Sequence, residues 1–246
     1  MAAMAGGAGA GSMSATPILI GDEVPNFVAE TQLGKISFHN YIEGAWCMLF
    51  THPGDFTPVC TTEFGMLSKL KSEFDARNCK IIGLSIDSVS DHEAWLVDVN
   101  ETQDTEVEFP VIADESGAVA RTFGVIHPNA PGAVKGQITV RAVFVIDPQR
   151  KVQLHMCYAA NTGRNFYEII RALDALQLTA YHQVATPANW KNGEDVLILP
   201  SVPDDLATDL FPKGFTTIKS YLRITPMPMI EDDDEAAAED LLLGKR

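Results

Sequence analysis

Apolar residues in this chain come in two alternating textures between about residues 22 and 176. Some stretches are short continuous runs, and others repeat every three or four residues, the contrast that separates buried strands from amphipathic helices. "AWCMLFT" (45–51) is continuous and short, which predicts a buried strand. Phe64, Leu67, Leu70 and Phe74 follow at helical spacing and predict a helix over 58–77. "KIIGLSID" (80–87) predicts a second strand. Ser90 with Glu93 reads as a capping box opening the helix "DHEAWLVDVN". "FPVIAD" (109–114) predicts a third strand, with a short helix around Gly117–Phe123. "TVRAVFVID" and "KVQLHMCY" flank a tight Pro148-Gln149 turn and predict a hairpin. "GRNFYEIIRALDALQ" (163–177) is an amphipathic helix that closes the main domain.

Strand–helix units with parallel crossovers, then a hairpin and a closing helix, predict an α/β sandwich of thioredoxin type around a central mixed sheet. This domain is expected to cover residues 17–177. The arm is expected over 178–228, and from 178 to 226 prolines recur at 187, 200, 203, 212 and 226, with little helical periodicity. That segment is expected to be an irregular or strand-rich arm, too small to bury a core alone and packed on the main domain or on a partner subunit. Residues 1–16 and 229–246 are expected to be disordered extensions, the second strongly acidic.

Composition narrows the function. The net charge of −15 argues against sequence-independent nucleic-acid binding and against an anionic membrane surface. No uninterrupted apolar run is long enough to span a bilayer. The first 21 residues carry no charge, so they lack the basic n-region of a secretory signal and the arginines of a mitochondrial presequence. The expected location is cytoplasmic. Cys47, Cys60, Cys79 and Cys157 are scattered, with no CxxC and no zinc spacing, so no metal and no disulfide framework is expected.

Cys60 stands apart from the other three cysteines. In "LFTHPGDFTPVCTTEF" (49–64) it follows an apolar run and opens a helical pattern. A thiol there is a buried hydrophobe, half of a disulfide, a metal ligand or a nucleophile. Thr57 suits an N-cap and Pro58 the first helical position, which makes Cys60 the third helical residue. Helix N-terminal amides and the helix dipole favour negative charge there and raise the thiolate fraction, and the thiolate is the reactive form. Pro53 shields the approach, and the Thr57 hydroxyl is placed to meet a substrate oxygen. His52 either bonds to substrate or sulfur or is a rim histidine. Arg141 is a charge inside an apolar strand, which is rarely tolerated unless paired. A guanidinium facing the thiolate would stabilise it and donate to a bound oxygen. Glu63 and Arg164 either orient Arg141 or form an ordinary surface ion pair.

At these residues the chain resembles the peroxiredoxins. The family's P-x-x-x-T-x-x-C pattern appears as Pro53, Thr57 and Cys60, and its strand arginine as Arg141. The similarity runs on through "LSIDSVSDHEAW", "TGRNFYEIIR", "LQLTAYHQVATPANWKNGEDVLILP" and "FPKGF", as in the one-cysteine, sixth-type subfamily, and covers about residues 17 to 228. It implies a thioredoxin fold, an arm that crosses to a partner, and a homodimer. The implied reaction is reduction of hydrogen peroxide and organic hydroperoxides through a sulfenic acid at Cys60. An external thiol, glutathione with glutathione transferase or thioredoxin, would regenerate the enzyme, with no bound cofactor.

The chain departs from the pattern at two places. The arm reads "VATPANW" where two-cysteine members carry a resolving cysteine. The strand before "TGRN" reads "MCYAAN", with Cys157 and no proline. Some relatives of this type are described as also acting on phospholipids. Here the position of the proposed serine, before Trp46, is Ala45; His39 matches the histidine, but the acid position holds Gln149, with Asp147 on the other side of Pro148. A serine triad cannot work without its nucleophile. A holdase role is the remaining alternative, and a disulfide oxidoreductase is disfavoured by the missing CxxC.

Overall fold

The computed structural model describes residues 17–127 and 138–228. The expected terminal extensions lie outside the described residues. Two compact units divide between Arg164 and Asn165.

The N-terminal unit begins with the paired strands β1 (Val28–Ala29) and β2 (Ile36–Ser37) and the short helix α1 (Phe38–Tyr41). The elements β3 (Trp46–Thr51), α2 (Pro58–Lys69), α3 (Lys71–Asp75), β4 (Cys79–Ser85), α4 (Val89–Gln103), β5 (Val111–Ala113), α5 (Ala118–Thr122), β6 (Arg141–Ile146) and β7 (Val152–Tyr158) follow. Five strands form one sheet in the order β5-β4-β3-β6-β7. β3, β4 and β5 are parallel and linked by helical crossovers, while β6 and β7 form the antiparallel hairpin. The sheet is mixed and the architecture is the thioredoxin-like α/β fold.

Strand alternation divides the core. Cys47 and Leu49 of β3, Ala142, Phe144 and Ile146 of β6, and Ile82 and Leu84 of β4 pack on one side with Phe38 and Phe123. On the other side Phe50 stacks edge-on against Phe64 of α2 and Phe109, and Phe64 meets Trp95 of α4 at 4.6 Å. Val143 pairs directly with Phe50, so Arg141, two residues away, shares that second face. The register therefore turns a charged strand residue toward α2.

Two local readings need correction. The helix expected over 58–77 breaks at Leu70, whose φ of −98° and ψ of 4° end α2 and let α3 begin. The capping box is Ser88 with Asp91 and not Ser90 with Glu93. Ser88 Oγ accepts from Asp91 N at 3.2 Å, and Asp91 Oδ2 accepts from Ser88 N at 3.1 Å. The shorter aspartate serves as well as glutamate, so two overlapping Ser-x-x-acid frames competed and the earlier one caps.

The C-terminal unit holds α6 (Phe166–Tyr181), β8 (Val184–Ala185), β9 (Val196–Ile198), α7 (Asp204–Leu210), β10 (Thr216–Lys219) and β11 (Leu222–Thr225). Its strands form an antiparallel sheet in the order β10-β11-β9-β8. The arm is expected to be too small to bury a core alone, and its apolar residues gather with the end of α6. Leu178 from α6 joins Val184, Trp190, Val196, Ile198, Val202, Ala207 and Phe211 in a buried cluster. Buried Arg223 ties β11 to α7 and the loop before it, donating to Asp204 Oδ1 at 2.8 Å and to the carbonyls of Leu199 and Val202. Strands of two to four residues are too short to show alternation, and a seven-residue helix too short to show a helical period. Trp190→Ala should therefore lower the stability of this unit by about 3–5 kcal/mol. Hydrogen exchange should show protection lost from β8, β9 and β11 together. Loss confined to the residues beside position 190 would mean that no shared core exists.

Candidate active site

The loop from His52 to Thr57 joins β3 to α2 and delivers Cys60 to the second face of the sheet. Thr57 is the N-cap by backbone geometry, and Pro58 fills the first helical position. The first bond into the helix runs from Thr61 N to Thr57 O, at 3.0 Å. Helix geometry leaves the Val59 and Cys60 amides without an intrahelical acceptor. The Thr57 hydroxyl does not cap α2; it donates to Gly54 O at 2.9 Å and shapes the loop. Phe56, more than half exposed, holds a left-handed φ of 53°, which costs a residue with a side chain of order 1–3 kcal/mol.

Cys60 is fully buried, and both Nη atoms of Arg141 lie 3.6 Å from its Sγ. Arg141 is itself held by two acceptors. Its Nη1 donates to Glu63 Oε2, and its Nε and Nη2 donate to Ala160 O at 3.2 and 2.6 Å. Glu63, one turn after Cys60, also accepts from Arg164: from its N at 2.8 Å and Nε at 3.0 Å on Oε1, and from its Nη2 at 2.6 Å on Oε2. Arg164 Nη1 donates to the Thr51 and Ala142 carbonyls at the ends of β3 and β6. Burial pushes the Arg164 guanidinium below its ordinary value, with Glu63 opposing. The structure thus brings Cys60, Glu63, Arg141 and Arg164 together in one buried network, not the alternative surface ion pair. Pro53 and Thr57 lie half-buried in the adjoining loop.

His52 is not a rim residue. It is fully buried, stacks on Trp95 at 5.3 Å, and its Nε2 donates to Asp55 Oδ1 at 2.8 Å. Asp55 Oδ2 lies 2.6 Å from Nδ1 of His92, also fully buried. Burial holds His52 below its ordinary value despite Asp55. For His92 burial acts in the same direction, but its bond to Asp55 and that carboxylate's charge outweigh it, so its pKa is raised. Asp55 is held low, because the two histidine bonds outweigh the effect of burial. Sequence reading passed over Asp55 and His92. The available signal was His92 falling three residues before Trp95, on the face of α4 that packs inward.

Among the described residues, one set of donors could hold a metal ion: His52, Asp55 and His92, within 4.8 Å of one another. Their contacts of 2.6–2.8 Å are hydrogen-bond lengths. Two ligands on one tetrahedral zinc, each at about 2.0 Å, would stand about 3.3 Å apart. The trio as built shares protons.

Residues 20–155 match the model of the AhpC/TSA family. The chain belongs to the peroxiredoxin family. Residues 175–214 match the C-terminal domain of 1-Cys peroxiredoxin. The 1-Cys peroxiredoxin of Dictyostelium discoideum is 50% identical over 85% of this chain and 85% of its own length. A cysteine-to-serine mutant of peroxiredoxin 6 from Arenicola marina superposes with a TM-score of 0.81 at 42% identity, covering 87% of this chain and all of that one. The yeast mitochondrial 1-Cys peroxiredoxin gives 0.79 at 45% identity, over 85% of this chain and 99% of its own. This peroxiredoxin is therefore an enzyme, a thiol peroxidase. None of its described helices is long and apolar enough to cross a membrane.

Proposed function

We propose that Cys60 is the peroxidatic cysteine of a one-cysteine cycle. The observation that carries this reading is the approach of both Arg141 Nη atoms to Cys60 Sγ in the first turn of α2. A cation there favours the anionic sulfur. The thiolate attacks the terminal oxygen of a hydroperoxide; an S–O bond forms, the O–O bond breaks, and the alcohol or water leaves with a proton. Charge grows on both oxygens during the transfer. Arg141 and the first-turn amides are the donors available to meet it, and the Thr57 hydroxyl joins them only by giving up its bond to Gly54 O, in a site from which bulk water is excluded. Cys60 is left as a sulfenic acid. One external thiol condenses with it, releasing water and leaving a mixed disulfide on Cys60; a second thiol attacks that disulfide, returns Cys60 to the thiol and leaves with the first as an external disulfide, so two thiols are oxidised for each peroxide reduced.

In the yeast mitochondrial 1-Cys peroxiredoxin, thiol resolving runs via glutathione/thioredoxin systems. The same two classes of reductant are proposed here. A homodimer follows from the family resemblance. Nothing favours lipid hydrolysis: the His39 ring contacts the Val24 carbonyl, Asp147 binds Gln153 and the Lys151 amide, and Ala45 offers no nucleophile. The deciding experiment is peroxide consumption by the full chain, supplied in parallel with glutathione plus a glutathione transferase and with thioredoxin. Catalytic turnover with at least one is expected. Turnover with neither, despite a single stoichiometric burst, would remove both reductants and keep the first step; absence of the burst would sink the reading.

A further inference from the structure

Both ring nitrogens of His92 face groups that only accept. Nδ1 lies 2.6 Å from the Asp55 carboxylate and Nε2 lies 3.2 Å from the Ile112 carbonyl of β5. A histidine that donates from both nitrogens is an imidazolium. His52, the other imidazole on Asp55, donates from Nε2 only, and its buried Nδ1 has no partner, so it is neutral. One carboxylate thus carries two histidines and a single positive charge. The other titratable groups acting on His92 are Asp87 of the β4–α4 turn and His52, whose ring centroid lies 6.1 Å away.

Asp55 is anchored a third time, where its backbone N–H donates to Asp87 Oδ2 at 3.0 Å. Two residues on, α4 grips the chain again: Trp95 Nε1 donates to Thr61 Oγ1, which donates to Thr57 O. Between these two holds lies Phe56 with its left-handed φ of 53°. Such a residue keeps its conformation only where its surroundings over-determine it. His92 and Trp95, one turn apart on α4, supply that constraint from a helix that carries no residue of the cysteine network.

We propose that His92 is a positioning residue: as an imidazolium it holds Asp55, and through Asp55 the 52–57 loop that presents Pro53 and Thr57 beside Cys60. The inference rests on the assignment of Cys60 as the peroxidatic thiol. It makes the loop sensitive to alkaline pH. The folded-state pKa of His92 is raised, so its contribution is complete below the ordinary histidine value of about 6.5 and is lost as pH rises through the raised value. A neutral His92 satisfies only one of its two acceptors.

The test is the second-order rate of hydrogen peroxide reduction by the reduced full chain, followed by stopped flow across pH, for wild type, His92→Asn, His92→Leu and Cys60→Ser. Asparagine places a donor near the position of Nδ1 and does not titrate. Wild type is expected to lose rate on the alkaline side, and His92→Asn to hold its rate through that range. His92→Leu is expected to lose about tenfold at every pH, as displaced catalytic groups do. An alkaline decline in His92→Asn identical to that of wild type overturns the inference, as does a folded His92→Leu with wild-type rate. If His92→Leu does not fold, the His92→Asn profile decides alone. A wild type without activity, or a Cys60→Ser variant with it, overturns the Cys60 assignment and this inference together, whereas the two His92 outcomes leave that assignment standing.

Discussion

Cys60→Ser is expected to lower peroxide reduction by about 10³-fold or more, the scale on which a reacting nucleophile is lost, while replacement of Cys47, Cys79 and Cys157 together leaves the single-turnover rate intact. The three bystanders are disqualified for different reasons. Cys47 is the second residue of β3, fully buried in the face opposite the site, and burial pushes its thiol well above the ordinary value. Cys79 begins β4, and burial pushes it up to about 12. Cys157 is exposed, on β7, and is the one thiol with access to solvent. It pairs with Ala142, so it projects from the face of the sheet opposite Arg141 and Cys60. A disulfide needs Cα atoms within about 7 Å and converging Cβ vectors, and opposite faces provide no such convergence. Burial also raises the Cys157 thiol, reducing its thiolate fraction. One equivalent of peroxide should therefore leave a sulfenic acid on Cys60 that a sulfenate-specific reagent traps. A stoichiometric Cys60–Cys157 disulfide, detected by mass, would show instead a two-cysteine enzyme.

The central strands β3, β4 and β6 were legible in the sequence because they are buried almost throughout and read as nearly continuous apolar runs, whereas the partly exposed β7 was legible as the second arm of a hairpin after the Pro148-Gln149 turn. Cys60 was legible because its helix start is marked by Thr57 and Pro58, and Arg141 because a charge inside a buried strand demands a partner. The C-terminal unit was less legible, since its strands are short and its core is assembled from residues spread between Leu178 and Phe211. The loop clamp was legible only in part: His52 stood out beside Pro53, and the inward placement of His92 beside Trp95 gave no hint of its partner. Its members, His52, Asp55 and His92, are joined by contacts up to 37 residues apart in sequence. Nothing local distinguishes a histidine bound to a distant carboxylate from one at the rim. Polar pairing across a fold leaves little trace in periodicity, whereas apolar burial leaves a strong one.

Glu63→Gln is expected to destabilise the protein by about 3–5 kcal/mol, the cost of stranding a buried charge, and to slow peroxide reduction by about 10²-fold. The glutamate is a carboxylate bonded to both guanidinium groups of the network. Its two oxygens take one hydrogen bond from Arg141 and three from Arg164. An amide keeps one acceptor oxygen and turns an NH₂ group toward donors, so two buried cations lose their counter-charge and one of them meets a facing donor. Arg164 has fallback acceptors in the Thr51 and Ala142 carbonyls. Arg141 keeps only the Ala160 carbonyl, from the irregular segment after β7, besides the sulfur itself. The loss of orientation should therefore fall on the arginine that faces Cys60. Glu63→Asp retains the charge but shortens the reach, and should cost less in both measures. Denaturant unfolding gives the stability change, and stopped-flow peroxide reduction on the folded fraction gives the rate. A folded Glu63→Gln variant with wild-type rate would mean that Arg141 is positioned by the sheet alone, and that Glu63 serves stability without serving the reaction.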